Sequence, residues 1–198
     1  MFGGRQSPSQ QYSVSFFAQV ALVGAAMLYL YSTTFDPDQV SHFFTMILIL
    51  IIGIVLAYTM VGVKFVSFNW KTLMTDALST IICVVSIVMV NRLVSINLGI
   101  SPLSELAFGV LAGVAEEWFF RLFLCAWVYK ITRSMLIAVP LSAMVWAVFH
   151  IARYGADMGN IWLVFFAGLP LGFVTLMFRS ADGPTFGHMI VNALVRGG

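Results

Sequence analysis

Seven apolar segments, of which the last is only about 20 Å long as a helix, constrain the fold of this chain more than any other feature. They lie near residues 14–34, 43–63, 72–95, 102–129, 134–153, 160–178 and 184–196. About 20 apolar residues in a helix cross the roughly 30 Å hydrocarbon core of a bilayer. Lipid offers no hydrogen-bond partners to the backbone, so such segments cross it as helices. The sequence therefore predicts an all-α, polytopic transmembrane helix bundle of about seven helices.

The composition excludes a water-soluble domain and a nucleic-acid-binding protein. Hydrophobic residues make up 61% of the chain and charged residues only 9%, whereas an average soluble domain has about 25% charged residues. The net charge is +2 and the basic residues are scattered, so no surface for nucleic acid is indicated. Cys83 and Cys125 lie in apolar segments without CxxC spacing, which is typical of small buried residues rather than zinc or redox sites.

The chain divides into a tail and two groups of helices. Residues 1–13 are polar and rich in Gly, Ser and Gln, which predicts a short disordered tail. Residues 14–99 hold the N-terminal transmembrane helices, and residues 100–198 hold a C-terminal helical core. The first apolar run is longer than the core of a signal peptide, and no small-residue cleavage site follows it. We therefore interpret it as a retained transmembrane helix.

Basic residues are unevenly distributed between the two sides of the predicted bundle. One side has three of them, namely Arg92, Arg153 and Arg196. The other side has six, namely Arg5, Lys64, Lys71, Lys130, Arg133 and Arg179. Because cytoplasmic loops carry an excess of Lys and Arg, we predict an integral, multi-pass membrane protein with a cytoplasmic N-terminus.

Two pairs of glycines, each four residues apart, predict close approaches between helices. The pairs are Gly109 with Gly113 and Gly168 with Gly172. Small residues at this spacing allow two helix backbones to approach closely. We expect both pairs to be packing sites.

Two adjacent carboxylates lie in the middle of a predicted span. Ionisable groups at membrane depth cost at least a few kcal/mol each, so they are candidates for function. Glu117 and Arg121 are four residues apart and share a helix face, so they can form an ion pair. Glu116 is rotated by about 100° from this pair. We therefore expect it to find water, a proton or a partner from another helix.

Two of the three histidines also lie in predicted spans. His150 ends one apolar run, and His188 precedes Asn192 by four residues, so that the last two share a helix face. Taken alone, each histidine is more often a satisfied buried residue than a catalyst. His42 follows two aspartates at a loop boundary and is interpreted as an interfacial residue.

Together these groups could hydrolyse a bond between a carbonyl carbon and its leaving group. A carboxylate near an imidazole can hold and activate a water as a general base. A histidine and an Asn amide on one helical face can donate hydrogen bonds to a developing oxyanion. This combination requires no covalent intermediate.

The ordered set of motifs resembles the CPBP family. The set is Glu-Glu-x-x-x-Arg, then aromatic-x-x-x-His, then His-x-x-x-Asn on successive helices, over roughly residues 100–196. This family comprises CAAX prenyl endopeptidases of the type II kind and bacteriocin-processing proteins, also called ABI proteins. Its members are intramembrane glutamic proteases, so the resemblance implies such an endopeptidase with its catalytic core in residues 100–198.

The resemblance implies a role for each matching residue. Glu116 and His150 would activate the water, while His188 and Asn192 would stabilise the oxyanion. Supporting positions in the motifs are Glu117, Arg121 and Trp146. Trp146 stands where the family usually has Phe, so a large aromatic is kept.

The resemblance also bears on ligands and partners. It implies no cofactor and no metal. The implied partner is a membrane-associated or prenylated peptide or protein substrate, met within the lipid bilayer.

Two other functions fit the same residues. Glu and His inside a bundle also form proton relays in transporters, although the pair of matched broken helices expected of inverted repeats is missing. A non-catalytic membrane partner, such as an immunity or scaffold protein, could keep the fold. Such a protein gains little from burying two carboxylates and two histidines. A metal-dependent hydrolase is disfavoured because no HExxH motif is present.

The predicted depths of the candidate residues disagree if every helix is straight and fully spanning. At 1.5 Å per residue, Glu116 lies about 21 Å from the outer face. His150 is near the outer end of its span, and His188 is near the inner end. We expect either a boundary that is wrong by a turn or a last helix that begins deep in the membrane.

Overall fold

The structure is a computed structural model that describes residues 12–14, 16–32, 37–65, 70–93 and 103–194. Most of the predicted tail, at residues 1–11, lies outside the described residues. So do Arg5 and Arg196 of the charge comparison and the predicted boundary between residues 99 and 100.

The described chain is helical apart from two short strands. The helices are α1 Phe16–Ser32, α2 Pro37–Leu56, α3 Trp70–Leu93, α4 Leu103–Glu116, α5 Ala126–Thr132, α6 Met135–Phe149, α7 Ile151–Tyr154, α8 Met158–Phe178 and α9 Asp182–Leu194. Two π-helical segments, Ala57–Val61 and Glu117–Cys125, extend α2 and join α4 to α5. Residues 103–132 therefore form one continuous rod, and the all-α prediction is confirmed.

Three of the described helices are long and apolar enough to cross a membrane. They are Ser41–Val61, Trp70–Val90 and Met158–Phe178, with mean hydropathy values of 2.6, 2.2 and 2.2. Outward-facing apolar side chains cover much of their surface; Leu48, Ile81 and Met177 are examples. Apolar residues turned away from the protein core fit a lipid environment.

The largest hydrophobic core surrounds the π-helical segment Glu117–Cys125. Trp118 and Leu122 of this segment are buried with Val61, Val139 and Leu176 from neighbouring elements. The segment that carries Glu117 and Arg121 is therefore shielded by apolar side chains from several elements.

A short parallel sheet closes one end of the bundle and corrects the predicted tail. Strand β1 (Tyr12–Val14) pairs with β2 (Val63–Phe65), and the Ser13 N–H donates to the Arg179 carbonyl at 2.8 Å. Tyr12 and Val14 are buried. Residues 12 and 13 are thus ordered, because alternate apolar side chains pack against the bundle and the backbone finds partners on both sides.

Both predicted glycine pairs lie at close helix contacts. A Cβ added at Gly113 would lie 2.8 Å from Met189 Cγ on α9, and one at Gly109 would lie 3.0 Å from Asn192 Cβ. A Cβ added at Gly168 would lie 2.9 Å from the Trp146 ring. The packing prediction is confirmed, and these contacts position the helices that carry the candidate site.

Helix α9 packs against α3 through two further glycines. A Cβ added at Gly183 would overlap the Ser79 hydroxyl, and one at Gly187 would lie 2.6 Å from Cys83 Cβ. Ser79 lies nine residues into α3, about 14 Å from its start at 1.5 Å per residue. Helix α9 therefore begins beside the interior of α3 rather than at its end.

We expect Gly183→Ala to destabilise the protein by about 1–3 kcal/mol, because the added methyl group cannot be accommodated without moving α9 from α3. Gly24→Ala on α1 is the matched control, since a Cβ there meets no atom within 4 Å. Thermal melting of both variants in detergent checks the prediction. Equal melting temperatures for the two would contradict the close contact between α9 and α3.

Candidate active site

The buried carboxylate of Glu116 is surrounded by groups from other helices. Its side chain ends at Oε2, which accepts a hydrogen bond from the Trp146 indole Nε1 at 2.5 Å. The same oxygen lies 3.8 Å from His150 Nε2 and 4.0 Å from His188 Nε2. Glu116 is 3% exposed. The expected partners from other helices are thus supplied by α6, the residue that follows it, and α9.

Glu117 and Arg121 form a fully buried ion pair beside this carboxylate. Arg121 Nε lies 3.5 Å from Glu117 Oε2, and both side chains are 0% exposed. The guanidinium carbon also lies 4.0 Å from the centre of the Trp146 ring, a cation–π geometry. Within the described part of the chain, the guanidinium nitrogens form no hydrogen bond. The carboxylate of Glu117 and the face of the Trp146 indole therefore hold Arg121 in place.

The His188 ring lies between the two adjacent carboxylates. Its Nδ1 is 3.0 Å from Glu117 Oε1, and its Nε2 faces Glu116. In a regular α-helix, adjacent residues diverge by about 100°. Glu117 begins the π-helical segment, whose wider turns rotate successive residues by less, so both carboxylates can approach one imidazole.

Ser142 of α6 stabilises the π-helical segment. Its hydroxyl donates to the Phe120 carbonyl at 2.5 Å in a buried position. In a wide helical turn some backbone carbonyls do not face the N–H group that would normally donate to them. A buried carbonyl needs a hydrogen-bond donor, and the Ser142 hydroxyl supplies one to Phe120. π-helical turns are frequent at functional sites.

His150 is held at the C-terminus of α6 in a defined tautomer. Its Nδ1 lies 2.9 Å from the Trp146 carbonyl oxygen. A carbonyl oxygen only accepts, so Nδ1 carries hydrogen and Nε2 of the neutral ring carries the lone pair. That lone pair is on the side of Glu116.

The early end of α6 resolves the disagreement in depth. The predicted helix over residues 134–153 is divided in the structure, because α6 ends at Phe149 and the short helix α7 begins after His150. Helix α6 therefore covers about 22 Å at 1.5 Å per residue and stops at the depth of Glu116. His150 lies inside the bundle rather than at the outer surface.

Asn192 lies one turn beyond His188 on α9 and faces α4. Its amide Nδ2 donates to the Gly109 carbonyl at 3.2 Å. The structure thus gathers Glu116, His150 and His188 around one point, and it places Asn192 on the same side of α9. His42, by contrast, is exposed on α2.

The sequence motifs missed a second buried polar network. Trp118 Nε1 donates to Gln19 Oε1 at 2.5 Å, and Gln19 Nε2 donates to Asp182 Oδ1 at 2.7 Å. Nearby, the Ser180 hydroxyl donates to Asp76 Oδ1 at 3.0 Å. In the sequence, the one sign of this network was the polar amide of Gln19 within an apolar run. The network ties the start of α9, and hence His188, to α1 and α3.

The helical bundle and its buried acid–histidine cluster define the class of protein: an integral membrane protein with an ionisable site among its helices. Residues 100–194 match the family model described as type II CAAX prenyl endopeptidase Rce1-like. The match covers slightly less than half of the chain, and it confirms the resemblance of this region to the CPBP family, whose members are proteases. Residues 1–99 lie outside the match. No curated protein and no solved structure matches the chain.

Proposed function

We propose that this protein hydrolyses peptide bonds within the membrane, using a water activated by Glu116 and His150. One observation carries the proposal: Glu116 Oε2 lies within 4.0 Å of both His150 Nε2 and His188 Nε2, deep in an apolar bundle. A buried acid beside two imidazoles suits general acid–base chemistry on a polar bond.

The attacking water would lie between Glu116 and His150. The 3.8 Å between Glu116 Oε2 and His150 Nε2 is too long for a direct hydrogen bond, and a single water can bridge it. Both atoms accept, so both water hydrogens are engaged and a lone pair remains for the carbonyl carbon. Glu116 takes a proton as the C–O bond forms and then gives it to the leaving nitrogen as the C–N bond breaks.

The oxyanion would be stabilised from α9. Because His188 Nδ1 donates to Glu117 Oε1, its Nε2 can also donate only when the ring carries a proton on both nitrogens. With His188 charged, the cluster of two carboxylates, one guanidinium and one imidazolium is neutral, which suits a medium of low dielectric constant. The Asn192 amide nitrogen carries two hydrogens, so its contact with the Gly109 carbonyl is compatible with donation to an oxyanion.

The family match and the position of the site support one substrate class. A prenylated protein with a C-terminal CAAX sequence would present its scissile bond near its own lipid anchor. The cluster lies among apolar helices, so an extended peptide held at the membrane would reach it more easily than a folded soluble protein. Maturation of another membrane peptide uses the same chemistry.

A matched pair of peptides tests the proposed substrate class. The purified protein is incubated with a farnesylated CAAX peptide and with the same peptide lacking the farnesyl group, alongside a mixed library of membrane peptides. We expect internal cleavage that releases the last three residues, identified by mass spectrometry, with the farnesylated peptide preferred. Cleavage confined to non-prenylated library members would support the proposed hydrolase activity and would contradict the CAAX substrate class. The absence of any cleavage by folded protein would contradict the proposal.

We expect Trp146→Phe to lower kcat by about 10–100-fold with little change in KM, because a hydrogen bond to a carboxylate is worth roughly 1.5–3 kcal/mol. The family usually has Phe at this position, so cleavage should be reduced rather than abolished. Trp162→Phe, which removes an exposed indole from α8, is the control. Equal kcat in the parent and the Trp146 variant would show that the indole N–H does not assist Glu116.

A further inference from the structure

A basic pocket lies where several helices end, away from the acid–histidine cluster. It encloses about 60 Å³, more than the 10–15 Å³ that a single water needs. Seven residues line it: Tyr12, Val61, Ala126, Tyr129, Lys130, Arg133 and Arg179. Three of them are cations and none is an acid, so the pocket has the charge to receive an anion.

Two of these cations occupy strained backbone positions. Arg133 and Arg179 follow the ends of α5 and α8 with φ of 57° and 53°. Among the residues that the structure describes, they are the non-glycine positions with positive φ. Glycine is the usual residue at such left-handed helix ends. Arginine at both positions, with both side chains lining one pocket, indicates that the guanidinium groups serve a purpose there.

The pocket cations have no acidic partners in the described ranges. Neither Arg133 nor Arg179 forms an ion pair there, and Lys130 Nζ donates to the Met60 carbonyl at 2.8 Å. The phenols of Tyr12 and Tyr129 add hydrogen-bond donors. Burial raises the pKa of the Tyr12 phenol, so it stays protonated at neutral pH.

Arginine after a helix end also complements the helix dipole. That effect would stabilise each helix separately, and it does not require the two side chains to converge on a common cavity. The convergence of the Arg133 and Arg179 side chains on one cavity is the observation that indicates a ligand.

We propose that this pocket binds the phosphate of an anionic lipid headgroup. Helix ends mark the membrane surface, and basic pockets between transmembrane helices bind anionic headgroups. Exposed apolar residues lie close in sequence to the lining cations Lys130 and Arg133, since Ile131 and Leu136 are 62% and 80% exposed. They offer contacts to acyl chains, which a free phosphate would lack. The proposal is independent of the proposed catalysis.

Lipid binding to a paired variant tests this assignment. Phosphatidylglycerol and phosphatidylcholine are each titrated onto the purified full chain, and bound lipid is counted by native mass spectrometry. We expect the parent to bind phosphatidylglycerol at least about tenfold more tightly, and Arg133→Gly with Arg179→Gly to lose this preference. Glycine relieves the left-handed backbone, so the variant should melt no lower than the parent.

The control is Lys64→Gln with Lys71→Gln, which removes two exposed charges outside the pocket lining. It should keep the preference for phosphatidylglycerol. An equal loss in the control would overturn the pocket as the site, as would an unchanged preference in the arginine variant. Displacement of phosphatidylglycerol by millimolar inorganic phosphate would reject the lipid in favour of a soluble anion.

Discussion

Glu116→Gln should abolish peptide hydrolysis while leaving the helical bundle intact. Gln is nearly isosteric with Glu and its amide oxygen can still accept from the Trp146 indole, so the packing should persist. The amide cannot take a proton from water, and loss of a general base typically lowers a rate by about 10²–10⁴-fold. We expect kcat to fall by about 10³-fold, measured with the farnesylated CAAX peptide.

The control for this substitution is Glu105→Gln on the same helix. Glu105 is exposed near the start of α4, so its neutralisation removes the same charge without touching the cluster. The control should retain full activity. Full activity in the Glu116 variant, with an unchanged melting temperature, would contradict the assignment of Glu116 as the general base.

Glu117→Gln should lower stability at least as much as it lowers turnover. It leaves the fully buried Arg121 without a counter-charge, and removing one partner of a buried pair costs about 3–5 kcal/mol. For a chain of this size we expect the melting temperature to fall by roughly 10 °C. The amide oxygen can still accept from His188 Nδ1, so this contact does not explain the loss. Thermal melting in detergent, beside the cleavage assay, measures both effects.

A double variant separates stability from chemistry at Glu117. Adding Arg121→Met removes the orphaned charge, so Glu117→Gln with Arg121→Met should recover most of the lost stability. If Glu117→Gln alone melts like the parent but does not cleave, Glu117 has a chemical role and the structural assignment is wrong.

Much of the bundle was predictable because the signals are local. Apolar segments of spanning length predicted the helices, and the spacing of Gly109 with Gly113 predicted a close helix contact, which the structure places against α9. The spacing of Glu117 and Arg121 likewise gave their ion pair. Helix periodicity also showed that Glu116 needed partners from other helices, because no residue on its own helix could neutralise it.

The remaining features depend on tertiary contacts that leave no local pattern. A π-helical segment has no distinct composition, so the approach of both carboxylates to His188 could not be read from the sequence. Helix α6 ends at Phe149 and α7 begins at Ile151, and no proline or glycine marks the break between them. The link from Gln19 to Asp182 joins residues 163 positions apart, and no spacing rule connects them.

The most direct test is cleavage of the farnesylated CAAX peptide by the parent protein and by His150→Ala, each with and without a chelator. The account predicts cleavage by the parent at the same rate in both conditions, and a loss of at least about 10²-fold in the His150 variant. Loss of the parent's activity on chelation would contradict the account, because the water would then be activated by a metal ion rather than by Glu116 and His150.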